Sequence, residues 1–136
     1  MKRIIAYISL IYYVTFPAWG QVTSEWRGPG RTGIYPETGL LKVWPDGGPR
    51  LILSVTGLPA GNSSVAIGND RLFVAGTRDS LEWIVALDRK GNRLWETIYG
   101  RAWTESFPES RSTPTVENGR VYVVSGKLDA ACIDAE

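Results

Sequence analysis

Two stretches of this chain repeat one another, and this repeat limits the fold more than any other feature of the sequence. The first covers residues 63–74 (SSVAIGNDRLFV) and the second covers residues 112–123 (STPTVENGRVYV), at a constant offset of 49 residues without a gap. A period of about 20 to 50 residues is typical of proteins that stack copies of one structural unit. The sequence therefore predicts at least two copies of one supersecondary unit.

Each copy is predicted to be a β-hairpin. The pairs Asn69-Asp70 and Asn118-Gly119 occupy matching positions. Such pairs tolerate the positive φ values that a two-residue hairpin turn needs, and the β-branched and apolar residues around them favour strands. The second strand of each hairpin, at 72–75 and 121–124, is apolar at every position. This pattern predicts that both faces of these strands are covered.

Two more strands are predicted after the first hairpin. Residues 83–87 form an apolar run that predicts a third strand, and residues 93–99, which carry Trp95, are predicted to form a fourth strand after a short polar turn. Residues 63–99 therefore predict four short antiparallel strands joined by tight turns. This is the arrangement of one blade of a β-propeller.

The second unit is predicted to follow the same plan and to be cut short. A polar loop at 100–111 leads into it, and its hairpin is followed by residues 130–134, which match residues 84–88 at an offset of 46. The chain ends at Glu136, where the next turn and a fourth strand are expected. Residues 112–136 therefore predict a truncated second blade.

These motifs resemble the repeat of the quinoprotein-type (PQQ-like) β-propeller family, which reads G-R-V-Y-V and then A-L-D-x-x-T-G-x-x-L-W. This chain has GRVYV at 119–123 and ALDRKGNRLW at 86–95, with Lys90 in place of the family's Thr. The resemblance covers about residues 25–136. It implies an all-β fold of four-stranded antiparallel blades, with one full and one truncated blade of an expected seven- or eight-bladed propeller. The chain is therefore expected to be the N-terminal fragment of a longer secreted protein.

Four residues are predicted to have structural roles in the repeat. The Asp88 carboxylate is expected to cap the turn between the third and fourth strands, and Gly91 is expected to adopt a positive φ there. Asp134 occupies the position of Asp88 in the second unit. The resemblance implies that Trp95 packs against a neighbouring blade, which agrees with the large apolar area that an indole buries.

The N-terminal region reads as a secretory signal peptide over residues 1–20. Lys2 and Arg3 precede an apolar run at 4–16 that is short for a membrane span, and the run ends in Ala-Trp-Gly. We expect cleavage before Gln21, which predicts a periplasmic or secreted protein with no stable membrane span. The alternative is that this region stays attached as an anchor or forms a buried strand.

Residues 21–62 are predicted to be a leader with one strand at about 50–56. Within it, Gly28, Gly30 and Gly33 have the spacing of a dinucleotide-binding motif. That motif needs a buried strand before it and a helix after it. Neither is predicted here, so we reject the dinucleotide interpretation.

The composition limits the chemistry that this chain can perform. It has no His and one Cys, Cys132. Within this chain, the usual serine triad and zinc sites built on His are therefore excluded, and no internal disulfide can form. Because Cys132 matches Ala86 in the first unit, we expect it to be buried and unreactive.

The charge is close to balanced. The 15 basic and 14 acidic residues give a net charge of +1, and loss of Lys2 and Arg3 with the signal peptide would change it to −1. This balance gives no support for binding to nucleic acid or to an anionic membrane.

The favoured function is a non-catalytic extracytoplasmic scaffold or binding module in the cell envelope. Its expected partners are other blades of the same propeller and envelope proteins. The alternative implied by the resemblance is part of an alcohol or sugar dehydrogenase that depends on pyrroloquinoline quinone and Ca²⁺. No adjacent Cys pair is present, and no catalytic, metal-binding or cofactor-binding residue is assigned in this chain.

The loop between the two units carries the candidate ligand-facing residues, because loops at the ends of a rigid scaffold commonly bind ligands. The candidates are Arg101, Trp103, Glu105 and Arg111. The alternative is that Trp103 fills a gap between blades and that the three charged side chains are only solvated.

Overall fold

The computed structural model describes residues 26–136. The predicted signal peptide and its cleavage site before Gln21 lie outside the described residues. The described part is all-β, as the sequence predicts, and consists of two antiparallel sheets. Within residues 26–136 the only helical element is a 3₁₀ turn at Pro29–Arg31.

The first sheet contains four strands that pair in chain order, each antiparallel to the next. Its strands are β1 (Ala66–Gly68), β2 (Arg71–Arg78), β3 (Leu81–Leu87) and β4 (Arg93–Arg101). Asn69 and Asp70 turn between β1 and β2 with φ values of 48° and 58°. These left-handed values are the ones that the Asn-Asp pair predicts for a two-residue turn.

The second sheet contains three strands, again antiparallel and in chain order. They are β5 (Thr115–Glu117), β6 (Arg120–Val124) and β7 (Ala130–Asp134). Asn118 and Gly119 form the first turn with φ values of 49° and 73°. Phe73 pairs with Ala86 in the first sheet, and Tyr122 pairs with Cys132 in the second. The two sheets therefore have the same strand register at repeat-equivalent positions.

The main core lies between the two sheets. One face of the first sheet, which we call the inner face, carries Ala66, Phe73, Ala75, Ile84 and Ala86, all of them buried. The second sheet supplies Val116, Val121 and Val123 to the same cluster. Trp95 extends the inner face onto β4, where its ring centroid lies 6.0 Å from that of Phe73.

Gly68 allows the two sheets to approach closely at the short strands β1 and β5. A Cβ atom at Gly68 would lie 2.6 Å from a methyl carbon of Val116. Such a distance is too short for any side chain, so the packing of the sheets requires glycine at this position.

The opposite face of the first sheet is covered in part by the leader. Val85 and Leu87 are buried on this face. Here Pro59 lies against Gly76, whereas Leu53 and Val55 lie against Gly91 in the turn between β3 and β4. The leader thus covers part of the first sheet on the side away from the second sheet.

The predicted strand at about 50–56 does not form, although part of this segment packs on the first sheet. Leu51 and Ile52 are 78% and 82% exposed, and residues 50–56 pair with no strand. The β-forming composition of the segment is not sufficient, because a strand also needs a neighbouring edge for its backbone N–H and C=O groups. In the described part of the leader, Ala60 reaches such an edge, in an isolated bridge to Thr77.

One face of the second sheet is not covered by any of residues 26–136, and we call it the open face. It carries Tyr122 and Val124 on β6 and Ala130 and Cys132 on β7. Residues of β6 alternate between exposed and buried, so the prediction that both faces of this strand are covered is wrong for the described chain.

Cys132 is exposed, which corrects the expectation of a buried thiol. Its counterpart Ala86 is buried because the second sheet covers it. No described residue covers the equivalent position on the open face.

Phe73 and Tyr122 provide a test of this packing because they occupy the same position in the repeat. Phe73 is fully buried, whereas Tyr122 is 42% exposed. Phe73→Ala is expected to lower the free energy of unfolding by about 3–5 kcal/mol, because it removes a large core side chain. Tyr122→Ala is the matched control and is expected to cost less than about 1 kcal/mol. Urea unfolding measures both, and equal losses would contradict the face-to-face packing.

Candidate functional site

The candidate site is built around the loop that connects the two sheets. Because β4 continues to Arg101, this connecting loop covers residues 102–114 and begins later than the sequence predicts. At its start the Ala102 N–H donates to the Ser80 carbonyl oxygen at 3.0 Å, and near its end the Ser110 carbonyl oxygen accepts a hydrogen bond from the N–H of Asn62 in the leader at 2.7 Å. Its two ends are therefore fixed, and its middle is displayed at the junction of the sheets.

A groove of about 390 Å³ lies between the connecting loop and the turn from β6 to β7. Its walls include Glu82, Trp103, Phe107, Glu109, Arg111 and Ser125. Two of the four candidate residues, Trp103 and Arg111, thus line the same groove. Arg101 and Glu105 do not line it.

Arg101 instead links the two sheets. Its Nη2 lies 2.9 Å from Asp129 Oδ1, and its Nε lies 3.2 Å from Asp129 Oδ2. The backbone N–H of Arg101 also donates to Oδ2 at 2.9 Å. These contacts hold the start of the connecting loop against the second sheet. The predicted position of Arg101 in a polar loop does not by itself indicate that this residue links the two sheets.

Glu105 lies at the rim of the groove and pairs with Lys127. Its carboxylate is 3.8 Å from the Lys127 Nζ. The same Nζ lies 4.4 Å from the centre of the Trp103 ring. Glu105 therefore contributes to holding Lys127 over an aromatic face, where a cation is electrostatically attracted.

Arg111 and Phe107 form a second pair of this kind across the groove lining. The guanidinium carbon of Arg111 lies 5.0 Å from the centre of the Phe107 ring. Arg111 also donates to the Phe107 carbonyl oxygen at 3.1 Å. Phe107 is 78% exposed and has a φ of 46°, a left-handed value that is uncommon for a bulky residue. The connecting loop thus holds an exposed aromatic ring in an unfavourable backbone conformation.

The innermost wall of the groove is formed by Glu82, which is 2% exposed. The Tyr99 hydroxyl donates to its carboxylate, and the Ser110 hydroxyl donates to Oε2 at 3.0 Å. The backbone N–H of Gly126 donates to Oε1 at 2.7 Å. Both carboxylate oxygens are therefore satisfied, as a buried charge requires.

This network joins three parts of the chain that are distant in sequence. Glu82 and Tyr99 belong to the first sheet, Ser110 to the connecting loop and Gly126 to the turn of the second sheet. Burial, followed by the hydrogen bond to Glu82, raises the pKa of Tyr99 well above its usual range. The phenol therefore stays protonated at ordinary pH and can act as the donor.

Glu82 is not among the residues predicted for the site, although the spacing of the sequence contains a signal for it. Glu82 lies two residues before Ile84 and four before Ala86, so it points to the same face of β3 as these buried residues. A carboxylate on the same strand face as buried residues is expected to be buried itself. Because buried polar groups are hydrogen-bonded, this position predicts a hydrogen-bonded network inside the protein.

The four predicted repeat residues lie outside the groove lining. Asp88 accepts hydrogen bonds from the backbone N–H groups of Lys90 and Asn92 at 2.8 Å each. Asp134 accepts one from the Glu136 N–H at 3.0 Å. Gly91 has a φ of 87°. The hydrogen bonds to Asn92 and Lys90 lower the pKa of Asp88.

Residues 26–136 contain neither a metal-binding cluster nor a membrane-spanning helix. No group of three or more His, Cys, Asp or Glu residues in this part of the chain could hold a metal ion. No helix in the same range is long and apolar enough to cross a bilayer.

Comparisons with known protein families, curated proteins and solved structures gave no match to this chain.

The buried carboxylate is expected to be important for stability. Glu82→Ala leaves the Tyr99 and Ser110 hydroxyls and the Gly126 N–H without their shared acceptor. The expected loss in the free energy of unfolding is about 2 kcal/mol or more, since each unsatisfied buried group costs about 1–3 kcal/mol. Glu117→Ala, at an exposed strand end, is the control and should change stability by less than about 0.5 kcal/mol. A loss for Glu82→Ala as small as the control's would show that the network is not formed.

Acid is expected to weaken the link between Arg101 and Asp129. Hydrogen bonds from the Arg101 side chain, and then from its backbone N–H, hold the pKa of Asp129 well below its ordinary value of 3.8. A carboxyl group with a lowered folded-state pKa stabilises the protein above its unfolded-state pKa, and this contribution is lost as the pH falls through the folded-state pKa. The free energy of unfolding should therefore decrease more steeply below about pH 4 in the native chain than in Asp129→Asn.

Urea unfolding at pH values from about 7 down to about 2.5 measures this dependence. Asp46→Asn, in the exposed part of the leader, is the control and should follow the native curve. Identical curves for the native chain and Asp129→Asn would contradict the role given to Asp129.

Proposed function

We propose that this chain is part of a non-catalytic β-propeller scaffold that acts outside the cytoplasm and binds proteins or other ligands of the cell envelope. The observation that carries the proposal is the relation between the two sheets. They share one sequence repeat and one strand register, and they pack face to face.

The open face supports the stacking of further sheets. Tyr122 and Val124 are the counterparts of Phe73 and Ala75 at an offset of 49. Cys132 pairs with Tyr122 in the second sheet as Ala86 pairs with Phe73 in the first, so Cys132 is the counterpart of Ala86. In the first sheet this face is buried against the next sheet. If a third sheet packed on the second as the second packs on the first, it would cover the open face.

A stack of this kind suits a scaffold that presents loops at the junctions between sheets. Each repeat contacts its neighbours, and the array buries a continuous core that no single unit can bury. The connecting loop displays Trp103 and Phe107 at such a junction, while its ends are held by Ser110 and Arg101. A rigid framework with exposed loop residues favours binding.

The carboxylates of the groove support binding over dehydrogenase chemistry. Glu82 uses both oxygens to accept hydrogen bonds from the protein, and Glu109 accepts one from the Asn62 side chain at 2.6 Å. A Ca²⁺ ion beside a quinone would need several oxygen ligands that converge on one point. Both oxygens of Glu82 are engaged, and Glu109 alone cannot supply several ligands, so the described groove does not fit that cofactor pair.

The extracytoplasmic location is proposed from the sequence of residues 1–20. A basic start, a short apolar run and small residues before Gln21 are the features of a secretory signal.

Cys132 provides a test of the stacking proposal. In the purified 136-residue chain its thiol is expected to react with a maleimide at the rate of an exposed cysteine. In the protein as its native cells produce it, a further sheet should cover Cys132 and slow this reaction at least about tenfold until urea is added. Mass spectrometry of the peptide that contains Cys132 measures both rates. Equal rates in the two samples would contradict the proposal.

A further inference from the structure

The outer edge of β7, on the side away from β6, carries an inference that goes beyond the proposed scaffold function. We propose that this edge binds residues 50–56 of a second copy of the chain, which add to the second sheet as a fourth, antiparallel strand. The inference concerns the edge of the second sheet, whereas the stacking proposal concerns its open face.

The second sheet lacks a strand that the first sheet has. The first sheet has the order β1-β2-β3-β4, and the second has the order β5-β6-β7. Residues 130–133 of β7 are the counterparts of residues 84–87 of β3, at an offset of 46. In the first sheet β4 pairs with β3. Within residues 26–136, no strand pairs with the outer edge of β7.

The hydrogen bonds of the second sheet show which backbone groups lie at this edge. The N–H of Ala135, directly after β7, donates to the Gly119 carbonyl oxygen at 3.0 Å. In an antiparallel strand the backbone groups of successive residues point to alternate sides. Cys132 and Ala130, three and five positions before Ala135, therefore point their N–H and C=O groups away from β6. These groups are available to a further strand.

Residues 50–56 carry the side-chain pattern of the strand that β7 lacks. They read RLILSVT, and residues 93–99 of β4 read RLWETIY, at an offset of 43 residues. The first two positions are identical, the third is large and apolar, the fifth carries a hydroxyl, and the sixth is β-branched and apolar. At the same offset, Gly48 and Gly91 precede the two segments with φ values of 80° and 87°. The leader segment therefore has the sequence of a fourth strand of this repeat.

The backbone of this segment is available for pairing. Residues 50–56 form no strand and make no backbone–backbone hydrogen bond within residues 26–136. The leader lies on the side of the first sheet away from the second sheet. The first sheet thus separates residues 50–56 from β7 of the same copy. A second copy can bring the unpaired segment and the unpaired edge together.

The outer edge of β4 is a poorer acceptor, although no strand among residues 26–136 pairs with it either. The pairing of β4 with β3 is irregular near both ends, and β4 carries the charged side chains of Arg93, Glu96 and Arg101. Bulges and charges are features that protect a sheet edge against a further strand. By contrast, β7 pairs regularly with β6, and residues 130–133 carry no charge.

The repeat specifies the register of the proposed pairing. In the first sheet Ala86 of β3 pairs with Trp95 of β4. The offsets of 46 and 43 convert this pair into Cys132 and Ile52 of the second copy. Ile52 is 82% exposed, so its side chain is available to lie beside Cys132 on the open face. The backbone groups supply the hydrogen bonds of such a strand addition, and alternate side chains supply its specificity.

The first test is sedimentation of the 136-residue chain over a range of concentrations. We expect self-association that increases with concentration. In the proposed register the Ser54 N–H points to β7, and proline at this position cannot donate a hydrogen bond. Ser54→Pro is therefore expected to weaken the association at least about tenfold. Val43→Pro, in an exposed part of the leader outside the segment, is the matched control and should associate as the native chain does.

The second test is a disulfide across the proposed pair. Directly opposite residues of an antiparallel pair have Cα atoms about 5.5 Å apart when they are hydrogen-bonded, a separation that suits a disulfide. With an added oxidant, Ile52→Cys is expected to form linked dimers in which mass spectrometry finds position 52 joined to Cys132. Leu40→Cys, at another exposed leader position, is the control and should give at least about tenfold fewer links to Cys132. An unchanged urea midpoint shows that each variant is folded.

Three results would overturn the inference. They are a native chain that stays monomeric at every concentration, association of Ser54→Pro equal to that of the native chain, and equal linking of Ile52→Cys and Leu40→Cys to Cys132. Failure of the stacking proposal would appear separately, as an equal maleimide reactivity of Cys132 in the purified chain and in the protein from its native cells.

Discussion

The structure depends on burial of the inner face of the first sheet against the second. Phe73, Ile84 and Ala86 would be exposed without that neighbour, and Val121 and Val123 would lose their cover as well. A small antiparallel sheet cannot hide both of its faces by itself. The leader covers part of the opposite face of the first sheet, so the described residues contact this sheet on both faces and the second sheet on one. The open face is a direct consequence of this arrangement.

The polar links at one end of the interface depend on the same packing. Once the sheets are face to face, β4 and the connecting loop meet the turn between β6 and β7. Gly100 and Gly126 let Ser125 and Trp103, respectively, approach without a clash. The close approach brings the Gly126 N–H to Glu82 and Asp129 to Arg101. These links then hold the connecting loop, and the loop presents the groove.

Turn chemistry and strand patterns made much of this fold predictable. The Asn69-Asp70 and Asn118-Gly119 pairs specify left-handed turns, and the apolar runs beside them specify strands. The predictions were wrong for residues whose pairing or burial depends on a neighbouring strand or sheet. Within residues 26–136, the segment 50–56 has strand-forming side chains but no strand edge beside it. Cys132 matches the buried Ala86, but no sheet in the same range covers it.

The candidate site was predictable only in part. Trp103 and Arg111 stood out as an aromatic and a cation in a polar loop, and both line the groove. Arg101 and Glu105 looked the same in the sequence, yet the positions of Asp129 and Lys127 in space give them different contacts. The burial of Glu82 could have been predicted, because its spacing from Ile84 and Ala86 places it on the same face of β3. Its partners could not be assigned, because Ser110 and Gly126 approach it only after the sheets have packed.

The face-to-face arrangement can be tested most directly by nuclear Overhauser effects between the two sheets. The account predicts contacts from the Gly68 α-protons to the Val116 methyl groups and from the Gly100 α-protons to the Ser125 β-protons. Both pairs join opposite sheets at their closest approach. Contacts within each sheet without any contact between the sheets would contradict the account.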